Sequence, residues 1–413
     1  MNSSRRAGRS YGTKWPAARA GVSLVIGLAG GIVPGAGWGA EWSVQPAVSA
    51  AVGHDSNPLL AIGAHESSSV ASITPSMRIR GKTERSGIDV GLALNYRYYS
   101  SDQVEDSDRQ ILSFNSFSQT SERTKLGLSG EFRRDDLRQI TDSAVDVDGG
   151  RDSDVGLIQT DVTRNWRTLR PSWTRSVSER SSVQLSYEFT DVGFDNAAGT
   201  GLVDYTDQNL ALTYSRNINP RDSFNVTASD SRFRASAVDN STDTSRLLFG
   251  IARAFSETSN GSLAVGASKT RATVGNNVDR SSGFVLEANA REVSDTMELD
   301  GTISHDVSPS GIGQSIQSDQ LRVRLVRGLT PKLGFSLRAT ILKNKVLEGS
   351  DPNVDRRYYE IEPALDYQWM PQWFFRAAYA YRYQKFDVDP TSATGSAVYV
   401  GVAYNWRRQF FGR

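Results

Sequence analysis

The chain has 413 residues, is 38% hydrophobic, carries a formal net charge of +1 and contains no cysteine. Near-neutrality argues against a polyanionic partner such as nucleic acid, and the missing thiols exclude disulfide scaffolds, thiolate metal centres and cysteine nucleophiles. The low apolar fraction suits a water-soluble protein, but equally a barrel that offers lipid only every second side chain.

The N-terminus reads as a sorting signal. Arg5, Arg6, Arg9, Lys14 and Arg19 form a basic region, an apolar core runs from Val22 to Val33, and Pro34 is followed by the small residues Gly35, Ala36, Gly37, Gly39 and Ala40. This is the layout of a secretory leader, and the apolar run is shorter than the roughly 20 residues a spanning helix needs. The expected division is a signal peptide over 1–40 and a mature domain over 41–413. No later segment is apolar enough to span as a helix, so a mature chain that crosses a membrane crosses it with strands.

From Glu41 onward the apolar residues alternate. Ile88, Val90, Leu92, Leu94, Tyr96 and Tyr98 share one face, with Asp89, Gly91, Ala93, Asn95 and Arg97 on the other. The pattern returns at Leu126, Leu128 and Phe132, at Val183, Leu185, Tyr187 and Phe189, and at Leu333, Phe335, Leu337, Ala339 and Ile341. It is most aromatic near the end: Tyr359 to Trp369, Trp373 to Tyr383, and Val398 to Trp406. Alternation over such lengths predicts strands, because successive strand side chains point to opposite faces.

Short turns punctuate the strands at Thr83-Glu84-Arg85, Ser121-Glu122-Arg123, Ser178-Glu179-Arg180, Asn219-Pro220-Arg221-Asp222, Ser256-Glu257-Thr258, Ser294-Asp295, Leu329-Thr330-Pro331-Lys332 and Met370-Pro371-Gln372. They recur roughly every 36–41 residues, with one longer interval, as a repeated hairpin would. Longer polar connectors alternate with them at 55–68, 100–108, 135–158, 195–204, 235–243, 275–280, 308–315, 346–355 and 386–395. Strands of about 10 residues, short turns at one end and long loops at the other predict an all-β, antiparallel up-and-down transmembrane β-barrel of about 18 strands, with 16 as the alternative. Both termini then lie on the periplasmic side of a bacterial outer membrane. Tyr96, Tyr98, Trp369, Trp373, Tyr383 and Trp406 sit near strand ends, where aromatic girdles belong.

The opposite face carries charge that a sealed apolar core would not tolerate. Arg97, Glu131, Glu188, Arg322, Arg324, Arg338, Glu360, Glu362, Asp366, Arg376 and Arg382 have inward parity and are the candidate lumen-lining set. Such charges either set selectivity in a pore or pair into a plug. Tyr358 has the parity of a sugar-stacking residue. The C-terminal strand, Ala397 to Trp406 with Phe411 beyond it, is aromatic-rich and is the segment that barrel-insertion machinery would read.

Two segments resemble a known family. Gly53-His54-Asp55-Ser56-Asn57-Pro58-Leu59-Leu60 is similar to a segment near the start of the beta-barrel porin 2 family, with His54 in place of the more usual Tyr. The stretch from Leu169-Arg170-Pro171-Ser172-Trp173 through Ser178-Glu179-Arg180-Ser181-Ser182 to Tyr187 looks like a hairpin of the same group. The group includes outer-membrane proteins encoded with exopolysaccharide and exosortase systems. The resemblance implies a barrel, polysaccharide and export-complex subunits as partners, and no named catalytic residue.

No catalytic constellation and no metal site stand out, and no cofactor is expected. His54 and His65 flank the first long connector near Asp55 and Glu66 without a recognised ligand spacing. The acidic run Asp142, Asp146, Asp148, Asp152 and Asp154 lacks a full calcium-loop spacing and reads as a hydrated loop. His305 has outward parity, whereas Ser304 and Asp306 point to the other face. The expected partners are outer-membrane lipid and lipopolysaccharide. The expected function is a channel tied to exopolysaccharide secretion; the alternatives are a general diffusion porin and a plugged assembly component.

Overall fold

The structure, a computed structural model, describes residues 40–136, 162–275, 277–347, 355–387 and 391–411. Residues 1–39, which hold nearly all of the expected leader, and the acidic run at 142–154 lie outside the described residues. The chain opens with β1 (Glu41–Asp55), β2 (Ser68–Lys82), β3 (Ser86–Tyr99), β4 (Ser107–Ser121) and β5 (Thr124–Asp136). β6 (Thr163–Ser178), β7 (Ser181–Asp195), β8 (Tyr205–Asn217), β9 (Asp222–Ala235) and β10 (Asn240–Ala254) follow. Next come β11 (Ser259–Val274), β12 (Asn277–Val293), β13 (Met297–Pro309) and β14 (Ser315–Gly328). β15 (Leu333–Val346), β16 (Arg356–Met370), β17 (Trp373–Phe386), β18 (Ser392–Asn405) and the short β19 (Gln409–Phe411) complete the order.

Each strand pairs antiparallel with its sequence neighbours, and β1 pairs with both β2 and β18, so eighteen long strands close into one barrel without an edge. β19 extends β18 along β1. From Ala47↔Asn405 to Val44↔Gln409 the last strand uses one more residue than β1, a bulge at 406–408. The first and last strands meet here, with Trp42 opposite Phe411, at the end of the barrel that carries the short turns.

Two expectations are corrected. The strands run 13–17 residues rather than about 10. The connectors expected at 235–243 and 275–280 are instead mostly strand: β9 and β10 are joined by a single 3-10 turn at Ser236–Val238, and β12 starts at Asn277 after Val274 ends β11. Thr242 and Thr244 face inward while Asp243 and Ser245 face outward, so both faces are polar there. Such a strand has no hydrophobic period to read.

The two faces differ as the alternation requires. Outward side chains include Leu212, Phe249, Ile251, Val398 and Val400, each at least half exposed on the isolated chain. Aromatic rings bound this apolar belt. At the short-turn end Trp373 meets Tyr404 at 5.0 Å, Tyr404 meets Trp406 at 4.7 Å and Trp369 meets Phe375 at 6.0 Å. At the other end Tyr359 and Tyr383 pair at 5.5 Å. Ten residues separate Trp373 from Tyr383 on β17. That is about 33 Å along a strand, or about 25 Å along the axis at a tilt of roughly 40°, matching the apolar band of about 25 Å on transmembrane barrels.

The seam of the barrel depends on Gly53. A Cβ there would run into the Val398 carbonyl oxygen and the Tyr399 ring of the closing strand. The carbonyl is backbone and cannot rotate away. Gly53→Val is expected to destabilise the barrel by about 1–3 kcal/mol, the usual cost of overpacking. Urea unfolding followed by the folded barrel's faster electrophoretic migration reads this directly, and an unchanged midpoint would contradict the seam geometry.

Candidate functional site

The inward face is a lattice of ion pairs. Arg78 and Arg80 hold Asp89 at 2.7 and 2.9 Å, and Arg170 holds Glu188 at 2.7 Å. Glu131, Arg133, Asp135 and Arg164 form a chain across β5 and β6, with contacts of 2.6, 3.9 and 2.9 Å. Arg291 and Arg324 share Glu298 and Asp300 at 3.3–3.6 Å. Arg376 reaches Asp366 at 3.1 Å and Glu362 at 3.5 Å. Register, not sequence proximity, brings these groups together: Asp300, Arg324, Arg338 and Glu362 lie opposite one another across β13 to β16. One row further from the short turns, Arg322, Thr340, Glu360 and Arg382 continue around the wall. Of the other candidates, Arg97 lies opposite Ser72 on β2, Glu131 opposite Thr168 on β6 and Glu188 opposite Asn209 on β8.

These groups divide by depth. Pairs at mid-strand and toward the short-turn end stay partly exposed: Arg170 and Glu188 are 43% and 36% exposed, and Arg324 and Glu298 are 44% and 34%. Near the long-connector end part of the lumen is filled, along the wall formed by β15 to β18. Arg382 donates from Nη2 to both carboxylate oxygens of Asp55, at 2.7 and 2.6 Å, and both residues are buried.

The filling is the first long connector, folded inward. Its agent is the segment Asp55-Ser56-Asn57-Pro58-Leu59-Leu60. The Asn57 backbone N–H donates to Asp55 Oδ1 at 3.0 Å, and the Ala61 N–H donates to Asn57 Oδ1 at 2.9 Å, turn chemistry that Asp and Asn favour. Asn57 Nδ2 then donates across to the Thr394 carbonyl on β18, at 3.1 Å. Gln384 Nε2 donates to the Leu60 carbonyl at 2.8 Å, and Arg356 Nη1 donates to Gln384 Oε1 at 3.0 Å. Leu60 takes φ +47°, a left-handed conformation that costs an ordinary residue about 1–2 kcal/mol. Its side chain is fully buried against Leu342, Tyr358 and Ala393, which offsets that cost.

A second connector crosses from the other side. β12 and β13 pair only between Leu286↔His305 and Val293↔Glu298. Beyond that point β13 parts from β12 but stays paired with β14 as far as Pro309↔Ser315, and this hairpin end turns toward the lumen. Arg246 on β10 donates to Asp306 at 2.9 Å and to the Val307 carbonyl at 2.7 Å. The connector at 310–314 reaches the far loops: the Val203 N–H donates to the Gly311 carbonyl at 2.8 Å, and Asn240 Nδ2 donates to the Gly313 carbonyl at 3.1 Å.

Several sequence candidates resolve differently. Tyr358 does face inward, but it is 1% exposed beneath Leu60 and donates to Glu360 at 2.8 Å, so no sugar can stack on it in this arrangement. His54 pairs with Val398 on the outward face while Asp55 turns inward, and Glu66 accepts from Ser101 at 2.8 Å. His305 lies outward against Asp319, with Leu286, Ile303 and Val307 as its other outward neighbours. The inward buried contacts of Asn57, Gln384, Arg246 and Asp306 carried no sequence signal, because each partner is distant in the chain.

No family model matches the chain, and no curated protein matches it. Solved structures similar to it include OccAB2 of Acinetobacter baumannii, at 10% identity and TM-score 0.44, covering 88% of this chain and 98% of that one. OccK9 (OpdG) of Pseudomonas aeruginosa is similar at 10% identity and TM-score 0.44, covering 88% and 98%. The siderophore receptor PirA of Acinetobacter baumannii is similar at 8% identity and TM-score 0.41, covering 88% and 80%.

Proposed function

We propose that the chain is an outer-membrane barrel whose lumen conducts small solutes, with the inward-folded first connector as its constriction. The observation that carries this reading is the contrast between faces: an apolar belt of membrane thickness outside, and inside it ion pairs such as Arg170–Glu188 and Arg324–Glu298 that keep a third to a half of their exposure. Water in the lower lumen accounts for that exposure, since sealed charges would lose it. Barrels of this size commonly leave an aqueous channel. On this reading the short turns and both termini are periplasmic and the long connectors face outside.

Polysaccharide export, implied by the resemblance of 53–60 and 169–187 to the porin 2 group, is the competing reading. It asks for a path wide enough for a sugar chain where Asp55, Asn57 and Leu60 now sit. Single-channel conductance of the refolded barrel in planar bilayers separates the two. A steady conductance unaffected by oligosaccharides fits the small-solute channel, and block by oligosaccharides fits export. A correctly inserted barrel that never conducts would sink both.

The mixed lattice also predicts weak ion selectivity, because cations and anions alternate around the wall. Arg322→Gln, Arg324→Gln and Arg338→Gln together leave Asp300, Glu298 and Glu362 in excess. The reversal potential in a salt gradient should then move toward cation selectivity, and no movement would mean that permeating ions do not pass this wall.

A further inference from the structure

Resting on the membrane reading above, we propose that β15, β16 and β17 carry an outward-facing site for the phosphate headgroup of an anionic lipid, in the leaflet on the long-connector side. Lys343 lies opposite Arg357, and Arg357 lies opposite Lys385, so three neighbouring strands present three cations at one height. Lys345 adds a fourth, one outward position further up β15. Like charges directly opposite one another on a sheet repel, so two successive like pairs call for an anion between them. At the same height, Asp319 opposite Lys343 turns to His305 on β13, and Asp387 meets Arg357 through Nε at 3.5 Å. Among the described residues, two carboxylates at this height, one already engaged by a histidine, therefore serve four cations.

The position selects the ligand. Tyr359 and Tyr383, the girdle pair, are the next outward residues toward the barrel middle from Arg357 and Lys385. Two residues of strand are about 7 Å, which places the cations at headgroup level when the girdle sits at the interface. Ile341 and Tyr359 directly below offer an apolar bed for the acyl chain. A lipid phosphate satisfies both halves of the surface, whereas a soluble anion would leave the apolar half unused.

The test uses the full mature barrel folded into phosphatidylcholine vesicles containing either phosphatidic acid or neutral diacylglycerol, compared with K343Q/R357Q/K385Q. The wild type should hold phosphatidic acid in preference to phosphatidylcholine, read by quenching with a labelled lipid. The triple variant should hold it roughly 100-fold more weakly, as loss of three juxtamembrane cations predicts. Equal retention by variant and wild type overturns the site, as does a wild type that does not distinguish phosphatidic acid from diacylglycerol. A chain that enters neither vesicle, seen as no heat-dependent shift in electrophoretic migration, overturns the membrane reading and this proposal with it. Insertion without lipid preference overturns only the site.

Discussion

Asp55→Ala should release the first connector from the lumen and raise the single-channel conductance. The carboxylate takes both short contacts from Arg382 Nη2 and also accepts the Asn57 N–H. Removing one partner of a buried ion pair costs roughly 3–5 kcal/mol, because the remaining charge stays buried and uncompensated. That cost falls on the loop-in state alone if the loop can leave, since departure returns water to Arg382. The ratio of loop-in to loop-out states should fall by a factor of roughly a hundred to several thousand. Asp55→Ala with Arg382→Ala should be milder, because no orphaned charge remains while Asn57 and Leu60 still hold the loop. Asn57→Ala supplies an independent route, breaking the bonds to Ala61 and Thr394 without touching a charge. If all three variants insert normally and conduct as the wild type does, the connector is not the constriction.

Leu212→Arg and Thr213→Arg, adjacent in sequence, should differ by most of the cost of a charge in lipid. Leu212 is 51% exposed on the isolated chain and sits between Leu185 and Ala228 on the outward face. An arginine near the bilayer midplane on that face costs roughly 2–4 kcal/mol. Thr213 lies between Gln184 and Thr227 on the inward face and shares a hydrogen bond with the Thr227 hydroxyl at 3.0 Å. Its replacement forfeits about 1 kcal/mol for that bond and leaves the new charge in a wet lumen. Urea titration of the barrel folded in vesicles measures both. Equal costs, or a larger cost at Thr213, would mean that the apolar face does not meet lipid.

The same logic explains which parts of the fold were legible. Ile88 to Tyr98, Tyr359 to Trp369 and Trp373 to Tyr383 read plainly as strands because their outward face is apolar at every second position. The starts of β10 and β12 did not read as strands at 240–243 and 277–280. Water lies on both sides there, so neither face is constrained. The bulge that lets β19 continue β18 was likewise invisible, since one extra residue leaves no compositional trace.

What the sequence determined by itself is the two-residue alternation of strands such as β3, β7 and β15 to β18, and the aromatic ends of the belt. Parity is local: it follows from the two-residue repeat of the backbone. What only the tertiary structure decided is which inward group meets which, and what occupies the mouth. Asp55 and Arg382 are separated by 327 residues and become neighbours only because β1 closes on β18. The segment Asp55-Ser56-Asn57-Pro58 announced a turn, but nothing local in it specifies that the turn folds into the lumen. That choice is made by Arg382, Gln384 and Thr394, on strands that reach the loop only when the barrel is complete.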